Sequence, residues 1–199
     1  MLTSLPNLLT LSRIAVIPIL ILLLFLGAPI YRYIACVLFI GACITDYLDG
    51  YLARHRAEVS PLGRFLDPIA DKLLVAAVLM MLVAIGGVSG LVILPALVIL
   101  CREILVSGLR EYLAEIRVPM PVSKLAKWKT TIQMVALGVL VVGEAGPSVL
   151  PVQTIGEVGL WLAAALTLIT GYDYLQRGLQ HMLPEEDDPS GGPASGGGP

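Results

Sequence analysis

Residues 67–85 read DPIADKLLVAAVLMMLVAI, and nothing after Lys72 in that stretch carries a charge. A helix rises 1.5 Å per residue, so about 20 apolar residues cross the roughly 30 Å of hydrocarbon in a bilayer. This stretch is therefore a membrane span whose first turns are acidic. Five more apolar runs of similar length flank it, and the predicted spans are Leu8–Gly27, Tyr33–Leu52, Asp67–Ile85, Leu91–Leu113, Leu125–Gly143 and Ile155–Gln176. Ala28-Pro29, Gly86-Gly87, Val118-Pro119 with Pro121, and Gly146-Pro147 with Pro151 supply the turn signals between them. The 199-residue chain is 57% hydrophobic and only 14% charged, against about a quarter charged in soluble domains, which excludes an ordinary soluble fold. The expected architecture is an all-α integral membrane protein of six transmembrane helices over residues 1–183. Residues 184–199, acidic and then Gly/Pro/Ser-rich, form a tail expected to be disordered.

Charge sorting orients the spans. One alternate set of ends holds Arg13, Arg54, Arg56, Arg64, Lys72, Arg102, Arg110, Arg117, Lys124, Lys127, Lys129 and Arg177, and the other holds Arg32 alone. Lys and Arg concentrate on the cytoplasmic side, so both termini are expected there. The run from Ile14 to Leu26 resembles the apolar part of a signal peptide, but Met1 to Ser12 holds no Lys or Arg and the run is expected to stay as the first span. Cys36, Cys43 and Cys101 form no C-x-x-C pair and are read as packing residues. His55 and His181 are isolated, and neither is expected to be catalytic.

The chemistry concentrates between residues 46 and 71. The second span ends Asp46-Tyr-Leu-Asp49-Gly50-Tyr-Leu-Ala53-Arg54, and offsets of three, four and seven put Asp46, Asp49, Gly50 and Ala53 on one helical face. Gly63, Asp67 and Asp71 follow at offsets of four and align in the same way. Each of two helices thus presents a pair of carboxylates. An ionised group within a span costs about 2.5–3.5 kcal/mol at the helix centre on insertion scales, so four of them near one face require compensation. Hard oxygen ligands select Mg²⁺, Mn²⁺ or Ca²⁺ over zinc, and four carboxylates are enough for two ions clamping a phosphoryl group. The plain alternative is helix capping or interfacial pairing with Arg54, Arg56, Arg64 and Lys72. Another is an ion pathway, that is, a divalent-cation transporter, which would need acidic groups near the midplane and reaching both sides.

Asp46-x-x-Asp49-Gly50-x-x-Ala53-Arg54, eight residues, then Gly63-x-x-x-Asp67-x-x-x-Asp71 resembles the signature of the CDP-alcohol phosphotransferases at every fixed position. The resemblance implies six transmembrane helices, a homodimer, and a polar active-site cavity open to the cytoplasm and inner leaflet of a bacterial inner membrane. It makes Asp46, Asp49, Asp67 and Asp71 the ligands of Mg²⁺ or Mn²⁺ and Asp71 also the general base. Asp49, Gly50, Ala53, Arg54, Gly63 and Asp67 then contact the CDP moiety. Small side chains there let a nucleotide approach the backbone, and the planar fork of Arg54 suits a pyrophosphate oxygen.

Three further stretches look like the phosphatidylglycerophosphate synthase branch of that family: Asn7-Leu-Leu-Thr10-Leu-Ser-Arg13, Arg102-Glu-Ile-Leu-Val-Ser-Gly-Leu-Arg110-Glu, and Lys127-Trp-Lys129-Thr130-Thr131-Ile-Gln133. That likeness implies CDP-diacylglycerol as donor and sn-glycerol 3-phosphate as acceptor, with no nucleic-acid partner. Arg102, Arg110 and Lys127 are the candidates for the acceptor's phosphate, and Asn7 for a donor pyrophosphate or N-terminal contact. Basic residues at an inner membrane face also arise without any substrate site, through the sorting described above and attraction to anionic headgroups. Synthesis of phosphatidylinositol phosphate, phosphatidylserine or cardiolipin stays open within the family.

Overall fold

The computed structural model describes residues 5–56, 61–118 and 124–180. Among them are six α-helices: α1 (Leu5–Leu26), α2 (Pro29–Arg56), α3 (Pro61–Ala84), α4 (Ile93–Glu115), α5 (Lys124–Val142) and α6 (Val152–Gln180). The tail at 184–199, His181 and the turn prolines Pro119 and Pro121 lie outside the described residues. The fold is all-helical and of the multi-pass membrane type. Five helical segments are long and apolar enough to cross a bilayer among the described residues, namely Asn7–Leu26, Pro29–Asp46, Gly90–Glu115, Leu125–Ala145 and Val152–Gln176. α3 differs from these because Asp67, Asp71 and Lys72 occupy its first half.

Two boundaries depart from the sequence expectation for a physical reason. The third span is predicted from Asp67, yet the helix begins six residues earlier at Pro61. Proline suits a first helical position because its missing N–H would be unpaired there in any case. Asp67 and Pro68 therefore sit two turns inside α3, where Pro68 cannot donate the usual helix bond. The second helix likewise extends to Arg56, so its polar end is a helical projection beyond the apolar run.

The helices close into a ring in the order α1, α2, α5, α6, α4, α3 and back to α1, with the sparsest seam between α3 and α4. Lys72 of α3 ties that seam by hydrogen bonding Ser107, which donates to Glu111 one turn further along α4. Leu20, Leu24, Phe39, Leu82, Ile99, Leu137 and Leu160 fill the interior. Small residues bring α6 close to both neighbours. A Cβ on Gly159 would lie 2.9 Å from the Ala136 Cβ, and one on Gly156 would lie 2.6 Å from the Leu140 Cγ, both on α5. Further along, Gly171 faces Arg102 and Gly178 faces Leu109, both on α4. Close approach through small residues is the usual basis of helix association in lipid, where apolar burial gives little net drive. At the end opposite the aspartates, Gln153 donates to the Gly87 carbonyl at 2.7 Å and Tyr33 to the Ala145 carbonyl at 2.6 Å.

Gly159→Ala should push α5 from α6 and lower stability by about 1–3 kcal/mol, the usual cost of overpacking. Gly41→Ala, with open space around the new methyl, should cost nothing. Thermal unfolding of both variants in detergent checks the contrast.

Candidate active site

α1 supplies one buried polar stripe. Asn7, Thr10 and Arg13 recur every three residues and are 2%, 0% and 1% exposed, continuing the apolar stripe of Ile17, Leu20 and Leu24 on the same face. The Arg13 guanidinium nitrogen Nη1 lies 3.0 Å from Asp46 Oδ1 of α2 and 2.5 Å from Asp71 Oδ1 of α3. Thr10 Oγ1 donates to Asp67 Oδ1 at 2.5 Å. Three of the four signature aspartates are thereby brought to α1 from two other helices. The aspartate side chains stay open on their other side, 43% exposed at Asp46 and 41% at Asp71, while that of Arg13 has no exposure. A guanidinium so placed lowers the mutual repulsion of two carboxylates, and their partial exposure leaves one side open to solvent.

Gly63 is buried on α3. Asp49, Gly50, Ala53 and Arg54 lie on the helical backbone of α2, and their side chains fall outside the described residues. Among the described residues no three His, Cys, Asp or Glu side chains converge tightly enough to hold a metal ion. The donor chemistry nevertheless fits a hard divalent cation: Asp46 and Asp71 already share one positively charged nitrogen, and both carboxylates stay partly open.

A second polar cluster joins α4, α5 and α6. Lys129, 1% exposed, hydrogen-bonds Glu103 of α4. Arg102 Nη2 donates to Thr170 Oγ1 at 3.3 Å, and its guanidinium carbon sits 5.7 Å from the ring centre of Tyr174. Gly171 leaves the room in which the Arg102 stem lies against α6. Three buried polar atoms here have no hydrogen-bond partner among the described residues: Arg102 Nε, Gln133 Oε1 and Thr167 Oγ1. Each such atom costs about 1–3 kcal/mol. Two cations against one carboxylate leave the cluster with a surplus positive charge.

The sequence-based candidates for the acceptor's phosphate divide accordingly. Arg102 is drawn into this cluster, whereas Arg110 and Lys127 are exposed. Sequence reasoning placed Thr10, Arg13, Lys129 and Gln133 in the stretches that carry the family resemblance, and Arg13 and Lys129 in the charge sorting, but gave none of them a role at the site. Their signal was periodicity: Lys129 and Gln133 extend the buried stripe Ala136, Leu137, Leu140 of α5, just as Thr10 and Arg13 extend that of α1.

A profile of the CDP-alcohol phosphatidyltransferase family matches residues 3–169. The chain belongs to this family. Among its relatives, a Rickettsia bellii protein named CDP-diacylglycerol--glycerol-3-phosphate 3-phosphatidyltransferase is 50% identical over 173 residues, covering 87% of this chain and 94% of its own length. A protein of that name from Cereibacter sphaeroides is 37% identical, covering 92% of this chain and 99% of its own. One from Arabidopsis thaliana, whose name adds the number 2, is 43% identical over 148 residues, or 69% of this chain and 64% of its own. The matched region holds the whole aspartate centre and the α4 and α5 parts of the second cluster, while Thr170, Gly171 and Tyr174 of α6 lie just past its end at residue 169.

Arg13→Met should strand the Asp46 and Asp71 carboxylates and destabilise the protein by about 3–5 kcal/mol, as for other buried pairs that lose one partner. Arg13→Lys keeps the charge and should lose much less. Unfolding of the two variants in detergent distinguishes these costs.

Proposed function

We propose that this chain transfers the phosphatidyl group of CDP-diacylglycerol to sn-glycerol 3-phosphate, giving phosphatidylglycerol phosphate and CMP. The observation that carries the reading is the meeting of Asp46 and Asp71, from different helices, at the one guanidinium nitrogen of Arg13. That convergence assembles the two halves of the aspartate signature into a single anionic centre. The relatives' names supply the donor and the acceptor.

Within this reading Asp46, Asp49, Asp67 and Asp71 would hold one or two divalent ions, Mg²⁺ or Mn²⁺. Such ions supply neutralisation of the diphosphate and of the charge developing on the transferred phosphoryl group. Asp49, Gly50, Ala53, Arg54, Gly63 and Asp67 receive the CDP moiety, and Asn7 lines the approach from α1. The acceptor's primary hydroxyl attacks the β-phosphorus. A new oxygen–phosphorus bond forms there, the bond to the CMP oxygen breaks, and Asp71 takes the hydroxyl proton.

The acceptor carries its own phosphate, and the α4–α6 cluster is matched to it. Arg102 and Lys129 offer charge, and the unpartnered Arg102 Nε offers a donor. Arg110 and Lys127 form an exposed basic rim. Neutral inositol or zwitterionic serine would leave that surplus charge without a counterpart. The site faces the cytoplasm of a bacterial inner membrane in a homodimer, both termini lie on that side, and residues 184–199 form a tail outside the six-helix domain of residues 1–183.

Purified protein in detergent with donor, acceptor and Mg²⁺ or Mn²⁺ should release CMP only when sn-glycerol 3-phosphate is present. CMP release indifferent to the acceptor, or driven equally by inositol phosphate or serine, contradicts the reading. Asp71→Asn should bind donor yet turn over at least about a hundredfold more slowly, the usual size of base removal. Lys129→Gln should raise KM for the acceptor far more than for the donor.

A further inference from the structure

Thr45, Thr130, Thr131 and Thr170 each donate to a carbonyl three or four residues back on their own helix, where a helical Thr hydroxyl ordinarily rests. Thr167 of α6 does not. It has no exposure, and its Oγ1 has no partner among the described residues. Gln133 Oε1 of α5 is in the same position at 1% exposure, and so is Arg102 Nε of α4. Buried polar atoms are nearly always paired, so three exceptions around one cluster point to a ligand that completes them.

The contacts between helices give their relative depths. Arg32 lies against Gly143 and Phe39 against Gly138, so α2 runs antiparallel to α5 and Gln133 is level with Ile44. That is two residues, about 3 Å, from Asp46 along the axis. Gly156 lies against Leu140 and Gly159 against Ala136, so α6 also runs antiparallel to α5 and Thr167 is level with Lys129 to within a residue. Side chains tilt toward the N-terminus of their own helix, and on antiparallel helices Gln133 and Thr167 therefore lean toward one another. The two unpartnered oxygens thus lie between the cations, Lys129 and Arg102, and the depth of the aspartate centre.

Their chemistry selects the ligand. An amide oxygen only accepts, an Arg Nε–H only donates, and a hydroxyl does either. A fully ionised phosphate has no proton to give Gln133, and a neutral polyol does not answer the surplus charge of Arg102 and Lys129. A phosphate ester that also carries a hydroxyl meets both demands. In sn-glycerol 3-phosphate the phosphate is on C3, the attacking hydroxyl is on C1, and one secondary hydroxyl stands between them on C2.

We propose that Gln133 and Thr167 are specificity residues that read the acceptor's secondary hydroxyl, Gln133 Oε1 accepting its proton and the Thr167 hydroxyl donating to its oxygen; this rests on the transferase reading above. An acceptor without that hydroxyl leaves both oxygens buried and unpaired, which is how a polar site rejects a near-isostere.

The test compares sn-glycerol 3-phosphate with 3-hydroxypropyl phosphate, which keeps the phosphate and the primary hydroxyl and lacks only the one on C2. Wild-type kcat/KM should favour glycerol phosphate by about a hundredfold or more. Gln133→Leu should bring glycerol phosphate down to within about threefold of the analogue and leave the analogue nearly unchanged. Thr167→Val should act in the same direction and stands in if the first variant does not fold. Without substrate, Gln133→Leu should unfold at the wild-type temperature or above, since it removes an unpaired buried oxygen. Equal use of both acceptors by the wild type overturns the proposal, as does an equal loss with both acceptors in the variants. Absence of CMP release from the wild type with either acceptor refutes the transferase reading instead. Calorimetric titration of the two esters then decides the hydroxyl reading alone: a preference for glycerol phosphate that disappears in Gln133→Leu upholds it, and equal binding or none overturns it.

Discussion

An arginine side chain with no solvent exposure, held between carboxylates of two other helices, is the constraint on which this bundle depends. Neither sign of charge is tolerable alone in such surroundings, and an uncompensated ion there costs several kcal/mol. Pairing removes most of that penalty only when the geometry is held, so α1, α2 and α3 have one acceptable arrangement at this depth. Thr10 adds a second tie to α3 through Asp67. The first helix has no other charged residue, and its role is to present this one.

The same need for compensation shapes the opposite half of the ring. Arg102 and Lys129 meet a single carboxylate, Glu103, so that cluster holds a surplus positive charge where the centre around Arg13 holds a surplus negative one. Glycines on α6 make this possible by letting α4 and α5 lie close enough for the polar side chains to reach one another. An enzyme joining a diphosphate-bearing lipid to a phosphorylated alcohol needs two differently charged subsites in one enclosure. Fixed dipoles and charges that need no rearrangement at the moment of reaction are the efficient way to provide them.

The fold was legible where physics is one-dimensional. Apolar runs, proline and glycine breaks and the sorting of Lys and Arg located six helices, because span length and turn chemistry are local properties. The start of α3 was misplaced because an apolar window stops at the first aspartate while the helix continues to Pro61. The aspartates were legible because their offsets repeat within each helix. Arg13 meeting Asp46 and Asp71 was not, since these residues are 33 and 58 positions apart in the chain and offsets say nothing of which helices touch. Lys127 was chosen over Lys129 for a related reason: two positions along a helix turn a side chain to another face, and only the buried stripe of α5 shows which face is inside.

Direct measurement of ion binding tests the central claim, that the aspartates of α2 and α3 form a divalent-cation centre and are not merely the counter-ions of Arg13. Electron paramagnetic resonance of Mn²⁺ titrated into the purified protein in detergent, with no substrate present, counts bound ions. The account predicts one or two bound per chain, with binding lost in Asp67→Asn and weakened in Asp71→Asn while both variants remain folded. A wild-type protein that binds no Mn²⁺, or variants that bind it as well as wild type, would contradict it.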